Sequence, residues 1–198
     1  AAVSADVLLK TKHYKDAIPF VKIALPNEKK RENKPRFQYV LAQLYQMDGE
    51  REAARNAYQK VIKMQPSNEM DFNARLRLAQ LEKSPQDGIK LLTKMAKLDK
   101  NKDQLDQIYG TIGDVYLAQK DTVKALEYYE KAIESSVQHG MAKAKVLVTA
   151  GDIYYQQRNY IKASPCYKEA TQILSAESEQ YARIQRRSET LDELVVEY

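Results

Sequence analysis

The sequence repeats itself at a nearly constant interval, and this repetition limits its possible folds more than any other feature. A small residue recurs along the chain, each time followed four places on by an aromatic or aliphatic residue. These small residues are Ala17, Ala54, Gly88, Ala125 and Ala163. The residues that follow them are Val21, Tyr58, Leu92, Tyr129 and Tyr167. A unit of this length cannot bury an apolar face alone, so successive units are expected to stack on one another.

A second periodic segment lies upstream of each small residue. Its clearest copies are YxxIGxxY, which begins at Tyr109, and LxxAGxxY, which begins at Leu147. Spacings of three and four place such residues on one face of a helix, so each unit predicts a pair of helices. The chain has only six Gly and six Pro, which leaves little turn chemistry for a many-stranded sheet. We therefore predict an all-α fold.

The two segments together resemble the tetratricopeptide repeat, with its aromatic, Leu-Gly, Tyr, Ala, Phe and Pro at fixed offsets. The resemblance extends over nearly the whole chain and implies a right-handed superhelical solenoid of about five helical hairpins. It predicts an array over residues 1–177 and a capping or continuing helix over 178–198. The repeat units would lie near 1–31, 35–68, 70–100, 106–139 and 144–177. Terminal repeats of such arrays need a polar outer face or a capping helix.

Individual residues of the pattern have expected packing roles. Gly113 and Gly151 would let the two helices of a hairpin approach closely, and the recurring tyrosines would fill gaps between hairpins. The third unit is shortened, and the residues up to Pro85 predict a tight turn at 82–85. The first unit lacks its opening aromatic, because Ala1 stands at that position. The sequence is thus expected to begin inside a helix.

The resemblance implies a non-enzymatic scaffold that binds a peptide or partner subunit. In this family the first helix of each hairpin lines a concave groove and the second lines the convex face. A mixed polar groove with a few apolar positions suits an extended peptide or a partner helix. The groove positions are Arg36, Tyr39, Gln43, Asn73, Leu76, Gln80, Gln107, Asp114, Lys145, Val148, Asp152 and Tyr155. The alternative is an architectural subunit of a larger assembly that uses its convex face or its ends.

One well-known activity of the family is not expected. Repeats that capture chaperone C-termini carry Lys, Asn and Arg at fixed first-helix positions, where they hold a terminal carboxylate. The residues at the Lys and Asn positions here are Ala2, Asp6, Tyr39 and Gln43. Asp114 and Asp152 would repel a carboxylate. The sequence therefore does not predict a chaperone clamp.

Residues suited to catalysis or metal binding are scarce. The single cysteine, Cys166, excludes an internal disulfide, and His13 and His139 lie in or beside turns with no suitable carboxylate spacing. We expect no enzyme activity, no metal and no cofactor.

The net charge of +5 is dispersed along the chain except at Asn27–Arg36. This basic stretch is typical of a solvated loop, so nucleic acid is not an expected partner. No apolar run reaches the roughly 18 residues of a membrane-spanning helix. We expect the protein to be a monomer or a weak oligomer.

The C-terminal stretch carries a second resemblance. Residues 186–198, RRSETLDELVVEY, are similar to the segment that follows the repeats in Bacteroidetes tetratricopeptide lipoproteins of gliding motility and type IX secretion. This similarity implies a periplasmic scaffold of a cell-envelope secretion assembly, anchored to the outer membrane. Without it, the cytoplasm is the other expected location.

Overall fold

A computed structural model describes residues 14–137 and 140–196. Ten α-helices account for most of these residues, and the same ranges contain no strand. The helices are α1 Tyr14–Asn27, α2 Lys34–Met47, α3 Arg51–Lys63, α4 Asn68–Leu81, α5 Pro85–Ala96, α6 Leu105–Ala118, α7 Thr122–Glu134, α8 Met141–Gln156, α9 Tyr160–Ile173 and α10 Glu179–Val196. Short 3-10 turns cover Arg31–Asn33 and Asp99–Gln104. The predicted all-α helical-repeat fold is confirmed.

Some expectations concern residues outside the described ranges. These expectations are the ones for Ala1, Ala2, Asp6, His13, His139 and Tyr198.

The chain divides into two compact units, Ala1–Leu91 and Leu92–Tyr198. In each unit consecutive helices pack on one another: α1 to α4 in the first, and α6 to α10 in the second. The predicted ranges of the five repeats and of the terminal helix stay a prediction.

The tight turns inside three hairpins share one backbone arrangement. Gly49, Lys120 and Arg158 each have a positive φ, of 80°, 63° and 58° respectively. In each case the next backbone N–H donates to a carbonyl five residues earlier, at 2.9 to 3.1 Å. This is the Schellman end of a helix, which satisfies carbonyls that would otherwise lack donors. The same next residue then starts the second helix, and Asp121 and Asn159 cap it with their side chains.

The connection at Asn27–Arg36 is shorter than the sequence suggested. Its expected loop ends early, because α2 already begins at Lys34. Pro35 stands in the first turn of α2, where its fixed φ suits a helix and its missing N–H costs no hydrogen bond. Lys29, Lys30 and Arg31 are exposed, as expected of a solvated connection.

The recurring tyrosines are the largest fully buried side chains. Tyr58, Tyr129 and Tyr167 each have 0% exposure. A Cβ built on Gly113 would lie 2.4 Å from the Tyr129 ring, and one on Gly151 would lie 2.9 Å from the Tyr167 ring. Each glycine therefore makes room for the tyrosine of its own hairpin.

In the hairpin of α4 and α5, one helix backbone lies directly against the other. Its turn at residues 82–84 is tight, as predicted, and α5 begins at Pro85. A Cβ on Gly88 would lie only 2.2 Å from the carbonyl oxygen of Ala79. A glycine is thus required where these two helices cross.

Helix α10 continues the repeat as a first helix. It packs on α9, and its residues Ile184 and Leu191 are 0% and 1% exposed. The ion pair between Asp114 and Lys145 recurs one repeat later between Asp152 and Arg183, with both partners displaced equally along the chain. Positions on α10 therefore correspond to positions one repeat earlier on α8.

The outer side of α10 differs from that of α8. On α8, Leu147 and Gly151 are buried, and a Cβ on Gly151 would meet the Tyr167 ring of the second helix α9. The corresponding residues of α10, Gln185 and Glu189, are exposed. Polar residues on this side are what a capping helix requires. Asp192 faces α9 instead, where it accepts hydrogen bonds from Ser164 and Lys168 at 2.7 and 3.3 Å, and the first of these is the main cause of its lowered pKa.

Candidate functional site

All twelve predicted groove residues lie in the first helices of hairpins, namely α2, α4, α6 and α8. We call the surface that they form the first-helix face, and each compact unit has its own part of it. In the first unit these residues are Arg36, Tyr39, Gln43, Asn73, Leu76 and Gln80. In the second unit they are Gln107, Asp114, Lys145, Val148, Asp152 and Tyr155.

The first-helix face of the first unit is partly built into the core. Arg36 is exposed, and Leu76 is 9% exposed. The Tyr39 ring packs edge-on against the buried Tyr58 ring, with centroids 5.5 Å apart, and burial raises its pKa. Gln43 is half-buried. Arg36 is therefore the member of this set that extends furthest into solvent on α2.

The α4 part of this face is held by hydrogen bonds. The Asn73 side-chain amide donates to the carbonyl of Glu69 at 3.0 Å. Arg51, from α3, donates to the carbonyls of Gln80 and Glu82 at 2.9 and 3.1 Å. These carbonyls lie at the end of α4, where backbone acceptors have no partner within the helix. Arg51 thus stabilises the end of α4 beside the face.

The first-helix face of the second unit has a repeated polar arrangement. Asp114 of α6 accepts a hydrogen bond from the Tyr129 hydroxyl at 2.9 Å and one from Lys145 Nζ of α8 at 2.7 Å. Burial, and then the neighbouring Asp114, raises the pKa of Tyr129, so its hydroxyl stays protonated and can donate. One carboxylate therefore joins three successive helices.

The second copy of this arrangement contains more positive charge. Asp152 of α8 accepts from the Tyr167 hydroxyl at 2.7 Å. Arg183 and Arg187 of α10 also donate to it, at 3.1 and 2.5 Å. Arg187 in turn donates to the Tyr167 hydroxyl at 3.1 Å. One carboxylate here faces two guanidinium groups.

These contacts change the expected role of the aspartates. The sequence suggested that Asp114 and Asp152 would repel a carboxylate ligand, but each is bound to a cation from the next first helix. Sequence reasoning missed Arg183 and Arg187 altogether. A signal for Arg183 was present, because it follows Lys145 at the same spacing that separates the last two units.

An aromatic and cationic cluster lies beside Asp152. The Arg187 guanidinium lies 4.8 Å from the centre of the Tyr155 ring, within the range of a cation–π contact. The Tyr160 ring lies 5.6 Å from that of Tyr155. Tyr155 remains 38% exposed, whereas Val148, about two helical turns away, is 7% exposed. Tyr155 is thus the exposed aromatic residue of the predicted set.

The single cysteine lies away from this face, on α9. Burial is the main cause that raises the pKa of Cys166, to about 11, and Glu169 and Glu130 add to the effect. A thiolate is the reactive form of cysteine, so this environment disfavours nucleophilic chemistry. The described residues contain no group of three His, Cys, Asp or Glu that could hold a metal ion. No helix within the described ranges is long and apolar enough to span a bilayer.

We expect Cys166 to react slowly with a disulfide reagent in the native protein. At pH 8 a pKa of about 11 leaves about a hundredth of the thiolate that a pKa of 9.0 would give. Absorbance with Ellman's reagent should show a rate at least about tenfold lower in the folded protein than in guanidinium chloride. Equal rates in the two conditions would contradict the burial of this thiol.

Two family matches relate the chain to known repeats. Residues 35–68 and 104–176 each match a family described as tetratricopeptide repeat. Together these matches cover more than half of the chain. Among curated proteins, none matches the sequence.

Solved structures with a similar fold have low sequence identity. BtubC (BKLC) from P. vanneervenii has a TM-score of 0.63 at 14% identity, with 92% of this chain and 81% of that one covered. PilF from Pseudomonas aeruginosa has a TM-score of 0.60 at 18% identity, covering 96% and 81%. Bacillus thuringiensis PlcR, solved in complex with the peptide PapR7 and DNA, has a TM-score of 0.64 at 17% identity, covering 95% and 71%. At these identities the likeness shows the fold alone.

Proposed function

The chain belongs to the tetratricopeptide repeat family, and from that premise we propose that it is a non-enzymatic interaction scaffold whose first-helix face binds a peptide or partner subunit. Protein–protein interaction is the role typical of these repeats. Beyond this typical role, we propose that the first-helix face is the surface that binds the partner. We also propose that the protein does not catalyse a reaction, and the raised pKa of Cys166 supports this.

The observation that carries the proposal is the set of contacts between successive first helices in the second unit. Asp114 bridges α6 to α8 through Lys145, and Asp152 bridges α8 to α10 through Arg183. These bridges hold the helices in one arrangement before any partner arrives. Such preorganisation lowers the entropy that binding would otherwise cost. Tyr155 and Lys145 stay exposed on this ordered surface.

The similar fold of PlcR supports the kind of partner proposed. That protein was solved in complex with a peptide, and 71% of its chain is covered by the similarity to this one. Long helical repeats generally bind through the extended surface that their stacked units create. A mixed polar face with an exposed aromatic suits the side chains and the backbone of an extended segment.

The proposal predicts that exposed residues of the first-helix face are needed to capture partners. The triple variant Arg36→Ala, Lys145→Ala, Tyr155→Ala changes side chains that reach solvent, so the fold should be kept. We expect it to lose partners that the wild-type protein captures from source extract by at least about tenfold, as scored by mass spectrometry.

A matched control lies on second helices. The variant Lys60→Ala, Lys94→Ala, Ile161→Ala removes the same charge and a comparable apolar area from α3, α5 and α9. It should retain those partners. If this control loses them while the first-helix variant keeps them, binding occurs on the second-helix surface and the architectural alternative is favoured.

A further inference from the structure

Helix α10, which lies next to α8 of the second unit's first-helix face, carries more positive than negative charge toward α8 among its described side chains. Lys145 on α8 has its carboxylate partner, Asp114, on the preceding first helix. On α10, Arg183 and Arg187 share the single carboxylate of Asp152. Among the described side chains, one cation to one anion on α8 thus becomes two cations to one anion on α10.

A third arginine adds to this excess. Arg186 is exposed and stands one repeat after Val148, which is one of the predicted groove residues. Among the side chains that the structure describes, no carboxylate lies within salt-bridge distance of Arg186. Glu189, three residues along α10 from Arg186, instead accepts a hydrogen bond from Gln185 at 3.0 Å.

The acid that would continue the pattern is missing from α10. Thr190 stands one repeat after Asp152, and its hydroxyl donates to the Arg186 carbonyl at 2.9 Å. Glu193, the carboxylate next along this row, lies about 10 Å from Arg186 along the helix axis. The guanidinium groups of Arg183 and Arg186 therefore have donors left for an anion from outside the chain.

We propose that α8 and α10 bind an acidic protein segment, whose carboxylates pair with Arg183 and Arg186 and whose apolar side chain packs on Tyr155. This inference rests on the proposed function and names the chemistry of its partner. The guanidinium group suits a carboxylate because its parallel N–H donors match the two carboxylate oxygens. Tyr155 is held in place for this contact by Arg187, 4.8 Å from its ring centre.

Spacing favours a peptide chain as the source of the carboxylates. Two side chains three apart on a helix have Cβ atoms about 5–6 Å apart. Alternate side chains of an extended segment are about 7 Å apart and point the same way. An extended segment with acidic residues at every second position can thus reach both arginines. A nucleic acid is disfavoured, since proteins that bind its backbone typically contact on the order of six or more phosphates, whereas this surface offers two arginines.

The test is fluorescence anisotropy with a short fluorescein-labelled, end-blocked peptide. In this probe glutamate alternates with serine around one phenylalanine, and a second peptide has glutamine for each glutamate. We expect the acidic peptide to bind wild-type protein, and the glutamine peptide to bind at least about tenfold more weakly. The variant Arg183→Gln, Arg186→Gln removes both guanidinium groups that pair with the peptide's carboxylates, so it should raise the Kd of the acidic peptide at least about tenfold. Arg187 still holds Asp152 in this variant.

The control variant Lys60→Gln, Lys94→Gln removes the same charge from second helices and should change the Kd less than about twofold. Equal weakening by both variants would overturn the inference, because it would show attraction to net charge only. Tighter binding of a thymidine oligonucleotide, lost in the arginine variant, would also overturn it in favour of phosphate recognition. Matched thermal melts of all proteins exclude loss of fold.

Capture from source extract separates this inference from the function on which it rests. Partners lost with the Arg36, Lys145, Tyr155 variant but kept by the arginine variant would overturn the acidic-segment inference and leave the first-helix face as the binding surface. Partners kept by both variants would overturn the two together.

Discussion

Replacement of Tyr167 by alanine is expected to lower the free energy of unfolding by about 4 kcal/mol. The ring is 0% exposed and fills the space that Gly151 leaves, so its removal opens a cavity in the second unit. The hydroxyl also donates to Asp152 and accepts from Arg187, and both bonds would be lost. Urea denaturation followed by circular dichroism measures the change.

Tyr167→Phe separates the ring from the hydroxyl. It keeps the buried ring and removes only the hydrogen bonds, at an expected cost of about 1 kcal/mol, because Asp152 keeps its two arginines. If both variants lost equal stability, the hydrogen bonds rather than the packed ring would dominate. Tyr129→Ala should behave like Tyr167→Ala, since Tyr129 is equally buried against Gly113.

Much of the fold could be predicted because it is encoded in local spacing. The small residue, the tyrosine four places on and the upstream glycine recur together, and each is needed for the same packing of ring against helix. The tight turn before Pro85 was also predictable, since proline restricts the residue before it. The positive φ of Lys120 and Arg158 was not, because glycine is the residue expected there and stands only at Gly49.

The charges of the candidate face were harder to predict. Asp114 and Asp152 were recognised as groove positions, but a position does not show which cation lies opposite it. The pairing depends on how far α8 and α10 are displaced along their neighbours, and on which long side chains reach across. Arg187 acts from outside the predicted array, where the sequence indicated only a cap. The face could be located from the sequence, whereas its electrostatics required the structure.

The crossing of α4 and α5 makes Gly88 the residue least tolerant of a methyl group. Gly88→Ala is expected to lower the free energy of unfolding by about 3 kcal/mol. A Cβ would lie 2.2 Å from the Ala79 carbonyl oxygen, and backbone atoms cannot rotate aside as a side chain does. Without this clash the change would stabilise a helix by about 1 kcal/mol, because alanine has the higher helix propensity. The sign of the effect in urea denaturation therefore reports the helix crossing.

Gly49→Ala is the matched control for this prediction. Gly49 has nothing within 4 Å of an added Cβ, but its φ of 80° is unfavourable for alanine. Its expected cost is about 1 kcal/mol, from backbone conformation alone. A loss at Gly88 well above that at Gly49 would establish steric contact between α4 and α5 as the cause. A gain in stability for Gly88→Ala would instead mean that the two helices cross further apart, with room for a methyl group at the contact.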